Sequence, residues 1–279
     1  MQEPMLRDLG VDVNSFWEES DDLAKKQREL GVNVDGENGY LIRLLQCTHQ
    51  PGVLQGFSNA DLRWRGGSII PFPGLPDFFF RMKNVVERNR TYQDLGIKVE
   101  HYIVSTGLKE MIAGSVLNAA GAIDGIYASE FMEESGRITY IARAVGHQKK
   151  TEFLHMINKG ANVDQNIDVN DDLPDNEKRI PWHNMIYLGD SGVRKSDHAC
   201  FATLRHRHAE GNNWRGVSIV VYGPEKKEAR EQAQAIYNAK KVDYIASADY
   251  SAGSELSRLV ERRIRRMAER IRERATTAF

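Results

Sequence analysis

The chain is short of cysteine, of long apolar runs and of net charge. Two cysteines, Cys47 and Cys200, stand far apart in 279 residues, which excludes the disulfide framework that staples small secreted domains. A reducing compartment, the cytoplasm, is the simplest expectation. No run of 18 apolar residues occurs, and no apolar signal-type segment opens the sequence, so neither a membrane span nor secretion is expected. Thirty-eight Lys and Arg against 39 Asp and Glu leave a formal charge of −1. That balance gives no whole-chain argument for a nucleic-acid or membrane partner. Internal repeats and low-complexity segments are also missing.

The composition that remains is that of an ordinary globular protein, 41% hydrophobic and 28% charged. Its length suits one large α/β domain or a core with a cap. Residues 1–85 read as mainly helical, with Phe16, Trp17, Leu23, Leu30, Tyr40, Leu41, Leu44 and Leu45 at roughly helical spacing. Pro71, Pro73, Gly74 and Pro76 close that block, and a helix over 77–86 follows. From there apolar runs of strand length near 99–104, 124–128, 185–189, 217–222 and 242–246 alternate with helical stretches. Such alternation predicts an α/β fold with a parallel, doubly wound, Rossmann-like sheet. Residues 137–142 read as a short hairpin arm. At the C-terminus Leu256, Val260, Ile264, Met267 and Ile271 make one apolar helical stripe among eight arginines. That stripe either docks on the core or offers a seam or basic surface to an anionic partner.

The run Met185, Ile186, Tyr187, Leu188, Gly189, Asp190 carries the most chemistry. An apolar strand ending in Gly-Asp delivers a carboxylate to the lip of a sheet, where open α/β folds bind ligands. A carboxylate there suits a hard cation such as magnesium, although Gly-Asp also simply closes strands with an Asx turn. Its companions are ordered along the chain. The strand before Ser105, Thr106 and Gly107 leads into a helix start, and Lys149 and Lys150 head another helix. Hydroxyls and backbone N–H groups can hold phosphate oxygens, lysine offsets their charge, and acids hold a bridging metal.

In the order and spacing of these segments the chain resembles the haloacid dehalogenase-like hydrolase superfamily, on its phosphoserine phosphatase-like side. The matching segments are 102–108, 126–131, 150–160 and 180–190, spread over most of the region from Lys98 to Gly223. The resemblance implies a core over 86–279, ending in the amphipathic helix, and a mainly helical cap over 1–85. It implies Mg2+-dependent hydrolysis of a small phosphorylated substrate. By the same resemblance Ser105 is the catalytic and phosphate-binding hydroxyl, with Thr106 and Gly107 beside it on the phosphate. Lys150 is the catalytic, phosphate-binding lysine, and Asp190 and Asp197 are the metal-binding acids.

Two departures accompany the match. Family members open with a strand ending in Asp-x-Asp, whose first aspartate is the nucleophile and whose second is the general acid/base. No such motif opens this chain; Asp12-Val13-Asn14 lacks an apolar strand before it, and Asn14 cannot transfer the proton. The family's central first strand is therefore missing by resemblance. The sequence is expected either to omit a natural N-terminal segment or to be a catalytically silent relative. On the second reading it is a module that binds a phosphorylated ligand or a protein. The other departure is the loop from Gly189 to Asp197, about three residues longer than the family's and carrying Arg194 and Lys195. His206 and His208, two apart, read as part of a solvated loop over 204–215. The acidic stretch Asp164, Asn166, Asp168, Asn170, Asp172 with Asp175 mimics a calcium loop. It has Val169 where glycine is required, so a polar insertion is expected. Neither the substrate nor the oligomeric state is written in these residues.

Overall fold

A computed structural model describes residues 2–174, 176–190, 196–205, 215–225 and 227–277. Arg194, Lys195, His206, His208 and Asp175 lie outside the described residues. In chain order the helices and strands are α1 (Gln2–Asp8), α2 (Val13–Glu29), α3 (Gly36–His49), α4 (Asn59–Arg65), α5 (Asp77–Glu87), α6 (Arg90–Asp94), β1 (Tyr102–Leu108), α7 (Lys109–Ala113) and α8 (Val116–Ala119). They continue as β2 (Gly125–Glu134), β3 (Arg137–Arg143), α9 (Lys149–Lys159), β4 (Ile186–Gly189), α10 (His198–Arg205), β5 (Val217–Tyr222), α11 (Lys227–Asn238), β6 (Tyr244–Ser247) and α12 (Glu255–Thr277). No described helix is long and apolar enough to cross a membrane.

The expected mixed α/β class and parallel pairing are found. Among the described residues the strands form two three-stranded sheets, β1-β2-β3 and β4-β5-β6, rather than one. β1 pairs β2 in parallel, β2 pairs β3 as the antiparallel hairpin, and β4, β5 and β6 are all parallel. β1 and β4 are each an edge strand of their own sheet.

Contacts divide the chain into two compact units, each discontinuous in sequence. One joins Met1–Pro71 to His101–His147, and the other joins Phe72–Glu100 to Gln148–Phe279. A linear reading of periodicity cannot express such a partition, because it follows which apolar faces meet rather than which residues are adjacent.

In the first unit, Met5, Leu6, Phe16, Tyr40, Leu41, Leu44 and Leu62 from the N-terminal helices bury against Leu108, Met111, Phe131 and Ile138 from β1 to β3. Local signals place these helices. Asp12, instead of standing in for a catalytic pair, caps α2 by accepting from Ser15 N at 2.6 Å. Ser58 and Asp61 form a reciprocal capping box on α4. Gly114 is demanded by packing, since a Cβ there would lie 1.7 Å from the Arg63 carbonyl oxygen.

In the second unit, α12 and α5 cover one face of the parallel sheet. Leu256, Leu259, Val260, Ile264, Met267 and Ala268 of α12 meet Phe78, Met82, Val85 and Val86 of α5 and Val217, Ile219, Val221 and Ala246 of β5 and β6. The C-terminal stripe is thus a core element, and its arginines occupy the remaining faces. The acidic stretch after α9 is organised by its own Asx turns. Asp164 and Asp168 accept from Asn166 N and Asn170 N at 2.9 and 2.7 Å. Lys159 Nζ donates to the carbonyls of Val169 and Asp171, so an ammonium takes those oxygens.

Candidate functional site

β4 places the site. Its alternation buries Tyr187 and Gly189 on one face, as side chains two apart along a strand must share a face. Asp190 follows at the carboxyl end of the strand, exposed to solvent. Asp197 heads α10, where Phe201 N donates to its carbonyl oxygen at 2.9 Å. Its carboxylate reaches back over Gly189. A Cβ on Gly189 would sit 2.8 Å from Asp197 Cβ, Cγ and Oδ2, so glycine is needed there for close approach, not for its backbone freedom.

Lys150 joins them from the first turn of α9. Its Nζ donates to Asp197 Oδ1 at 2.8 Å, with the two side chains 8% and 2% exposed. A cation near a helix N-terminus opposes the helix dipole, and a buried charge is costly unless paired. Helix stability therefore does not explain this lysine; the carboxylate opposite does. Tyr187 donates its hydroxyl to the same oxygen at 2.6 Å, and Ser196 Oγ lies 3.4 Å from Asp197 Oδ2. Both carboxylate oxygens of Asp197 consequently have protein partners.

The charges and burial in this cluster shift its other groups. Burial, then the Asp197 charge, raises the Tyr187 phenol well above its ordinary value. Burial likewise pushes the Cys200 thiol up to about 11, which leaves it an inert packing group rather than a nucleophile. Asp190 is an exposed residue, yet desolvation of its carboxyl by the protein packed around it raises its pKa. The Asp197 charge adds to that, and Lys150 works in the opposite direction. Tyr250, just after β6, is pushed up to about 12 by burial and by the Asp190 charge. The lip at the carboxyl ends of this sheet thus gathers Asp190 and Tyr250 above the buried Lys150–Asp197–Tyr187 triad.

One stability prediction follows directly. A carboxyl whose folded pKa lies above its unfolded one opposes folding once pH exceeds the ordinary carboxylate range, and costs nothing below it. Asp190→Asn should therefore raise the thermal midpoint at pH 7, and the gain should fade as pH falls through about 4. Melting curves across that range check it. A midpoint lowered at pH 7 would contradict the electrostatic picture.

Of the residues singled out in the sequence, the second unit brings Lys150, Asp190 and Asp197 together. Ser105, Thr106 and Gly107 belong to the first unit. They do not form a tight turn after a strand: β1 runs on to Leu108, and its register against β2 shifts between Val104 and Leu108. Ser105 Oγ accepts from Gly107 N at 3.0 Å, while the Thr106 carbonyl accepts the Tyr40 hydroxyl at 2.5 Å. Lys149 faces elsewhere than Lys150, lining an open cleft with Gln148, Thr151, Glu152 and His155. Tyr187 was missed because inside an apolar run it reads as core, and Tyr250 because it stands in the small, polar stretch Ser247 to Ser254 with no motif around it. Tyr187, two residues before Gly189, carried a usable signal, since both must face Asp197. No described cluster of three or more His, Cys, Asp or Glu is placed to hold a metal alone.

No protein-family model matches this chain. An uncharacterized protein of Borreliella burgdorferi is 25% identical over 272 residues, covering 92% of this chain and 88% of that protein. Among solved structures, cytosolic 5'-nucleotidase IIIB bound to cytidine aligns with 14% identity and a TM-score of 0.39, over 93% of this chain and 75% of that one. At that score no shared fold is established.

Proposed function

We propose that this chain carries the phosphate-and-metal cradle of a haloacid dehalogenase-like phosphohydrolase, directed at a small phosphorylated ligand. The observation that supports it best is the buried Lys150–Asp197 pair at 2.8 Å, set beneath the exposed Asp190 at the carboxyl end of a parallel strand. In this reading Lys150 offsets phosphoryl charge while Asp197, itself held by the Tyr187 hydroxyl, keeps its ammonium in place. Asp190 is the acid free to bind a cation, and Asp197 stands behind it. Mg2+ fits such a donor set, since it is commonly held by one or two carboxylates with the remaining positions filled by water and substrate phosphate. When bound it would neutralise phosphoryl oxygens. Ser105, with Thr106 and Gly107, is proposed as the phosphate-contacting hydroxyl segment, and the helices within residues 1–85 as the cap.

Hydrolysis through a phosphoryl-aspartate requires a nucleophile and a general acid. The sequence contains no Asp-x-Asp, which favours ligand binding without turnover for the chain as given. Incubation of the folded chain with p-nitrophenyl phosphate and Mg2+ should release no nitrophenol beyond that of Asp190→Asn. Turnover that Asp190→Asn abolishes would show an active phosphohydrolase and overturn the non-catalytic part of this reading.

A further inference from the structure

Helix α12 carries eight arginines and no lysine. Arg265 is paired with Glu261 at 2.7 Å, and Arg272 with Glu269. Arg263, Arg266, Arg270 and Arg274 belong together by position. Their spacings of three, four and four residues set them in a single row. Among the described residues no carboxylate lies within ion-pair distance of Arg263, Arg266 or Arg270. Asp243, the acid that faces Arg263, is already bound by Arg215 at 2.8 Å and approached by Arg205 at 3.8 Å.

The row is held in place rather than loosely solvated. The Arg263 guanidinium covers the Tyr244 ring at 4.7 Å. Arg270 Nη2 donates to the His183 carbonyl at 3.0 Å, and Arg274 Nη1 lies 3.4 Å from His183 Nε2. Arg270 Nε is buried with no hydrogen-bond partner among the described residues. Burial, then neighbouring guanidinium charges, pushes Arg263 and Arg270 below their ordinary values, with Asp243 working in the opposite direction on Arg263. Folding alone gives no reason to gather them so.

Location separates this row from the candidate phosphate site. Tyr244 opens β6, His183 precedes β4, and Asp243 accepts from Ser218 N near the start of β5 at 2.9 Å. The row therefore follows the amino-terminal ends of the strands, whereas Asp190 stands at their carboxyl ends. A strand the length of β5 spans roughly 20 Å.

We propose that this arginine row docks the phosphodiester backbone of a nucleic-acid duplex, without reading its sequence. From Arg263 to Arg274 the helix rises about 16 Å, a straight rod of cations facing a polymer that carries one charge per roughly 1.7 Å of axis. Exclusive use of arginine suits oxyanions that accept two parallel N–H bonds, which lysine cannot offer. An acidic peptide would have to be ordered residue by residue at about 1–2 kcal/mol each, while a duplex is already straight and regular. The overall charge of −1 conceals this local asymmetry, since the helix sets eight arginines against four glutamates. The inference is independent of the phosphohydrolase reading.

Fluorescence anisotropy of a labelled 25-base-pair duplex, titrated with the full chain from 50 to 300 mM salt, tests it. Four phosphate contacts predict log K falling with log salt at a slope of roughly −3 to −4. Arg266→Ala, at an exposed position, and Arg270→Ala should each reduce that slope by about 1. Arg258→Gln, roughly 140° round the helix from Arg263, should leave it unchanged. Melting curves of each variant confirm that it is folded. No anisotropy change at 50 mM salt with about 100 μM protein, the weak end of the roughly 1–100 μM range of non-specific binding at physiological salt, would overturn the proposal. So would equal slopes for Arg266→Ala and Arg258→Gln. Displacement of the duplex by poly-glutamate as readily as by unlabelled duplex would assign the row to an acidic protein instead.

Discussion

Replacing Lys150 by methionine should destabilise the second unit by roughly 3–5 kcal/mol, the cost of leaving a buried charge unpaired. The change is nearly isosteric, so little packing is lost and the effect isolates the charge. Asp197 would keep the Tyr187 hydroxyl at 2.6 Å but would have no cation in a site where its side chain is 2% exposed. Tyr187→Phe, which removes one hydrogen bond and keeps Lys150, should cost less, on the order of 1–3 kcal/mol. The double change Lys150→Met with Asp197→Leu should recover most of the loss, because an apolar pair of similar volume can replace a buried ion pair at little cost. Urea unfolding of the four proteins checks this. If Lys150→Met were as stable as the parent, the pair would not be the buried contact described.

The second large effect concerns the C-terminal stripe. Val260 is 4% exposed in a core shared with α5 and the parallel sheet. Val260→Asp gives up about 1.5–3 kcal/mol of apolar burial and inserts a carboxylate with no partner. The combined loss should exceed roughly 4 kcal/mol and melt the second unit near room temperature. Arg258→Gln, exposed two residues earlier on the same helix, should change stability by no more than about 0.5 kcal/mol. A Val260→Asp protein that stays folded would mean that the stripe serves a partner rather than the core.

How much of this was legible beforehand depends on the range of the interactions involved. Strands β4 and β5 and the stripe of α12 came through because their periodicity is local and their apolar faces are wide. The Asp12 cap was local too, although its role as a cap emerged only from the Ser15 contact. The union of Met1–Pro71 with His101–His147 was not legible, since it depends on Leu108, Phe131 and Ile138 meeting helices many residues away. At the site, Lys150, Asp190 and Asp197 were marked by residue type and order. Tyr187 was not, because a tyrosine in an apolar strand shows its hydroxyl partner only once Gly189 lets Asp197 fold over it. The register shift between Val104 and Leu108 was missed for a related reason. Gly107 signals a break both in turns and within irregular strands, and only the pairing of Val104 and Leu108 with β2 distinguishes them.

The central claim is that Asp190, backed by Lys150 and Asp197, makes a place for a divalent cation and a phosphoryl group. Isothermal titration of Mg2+ into the folded chain, in buffer containing inorganic phosphate, measures it most directly. The account predicts a saturable heat in the parent protein that is lost in Asp190→Asn while the variant's fold is retained. Equal heats from the two proteins, or no saturable heat from the folded parent, would contradict it.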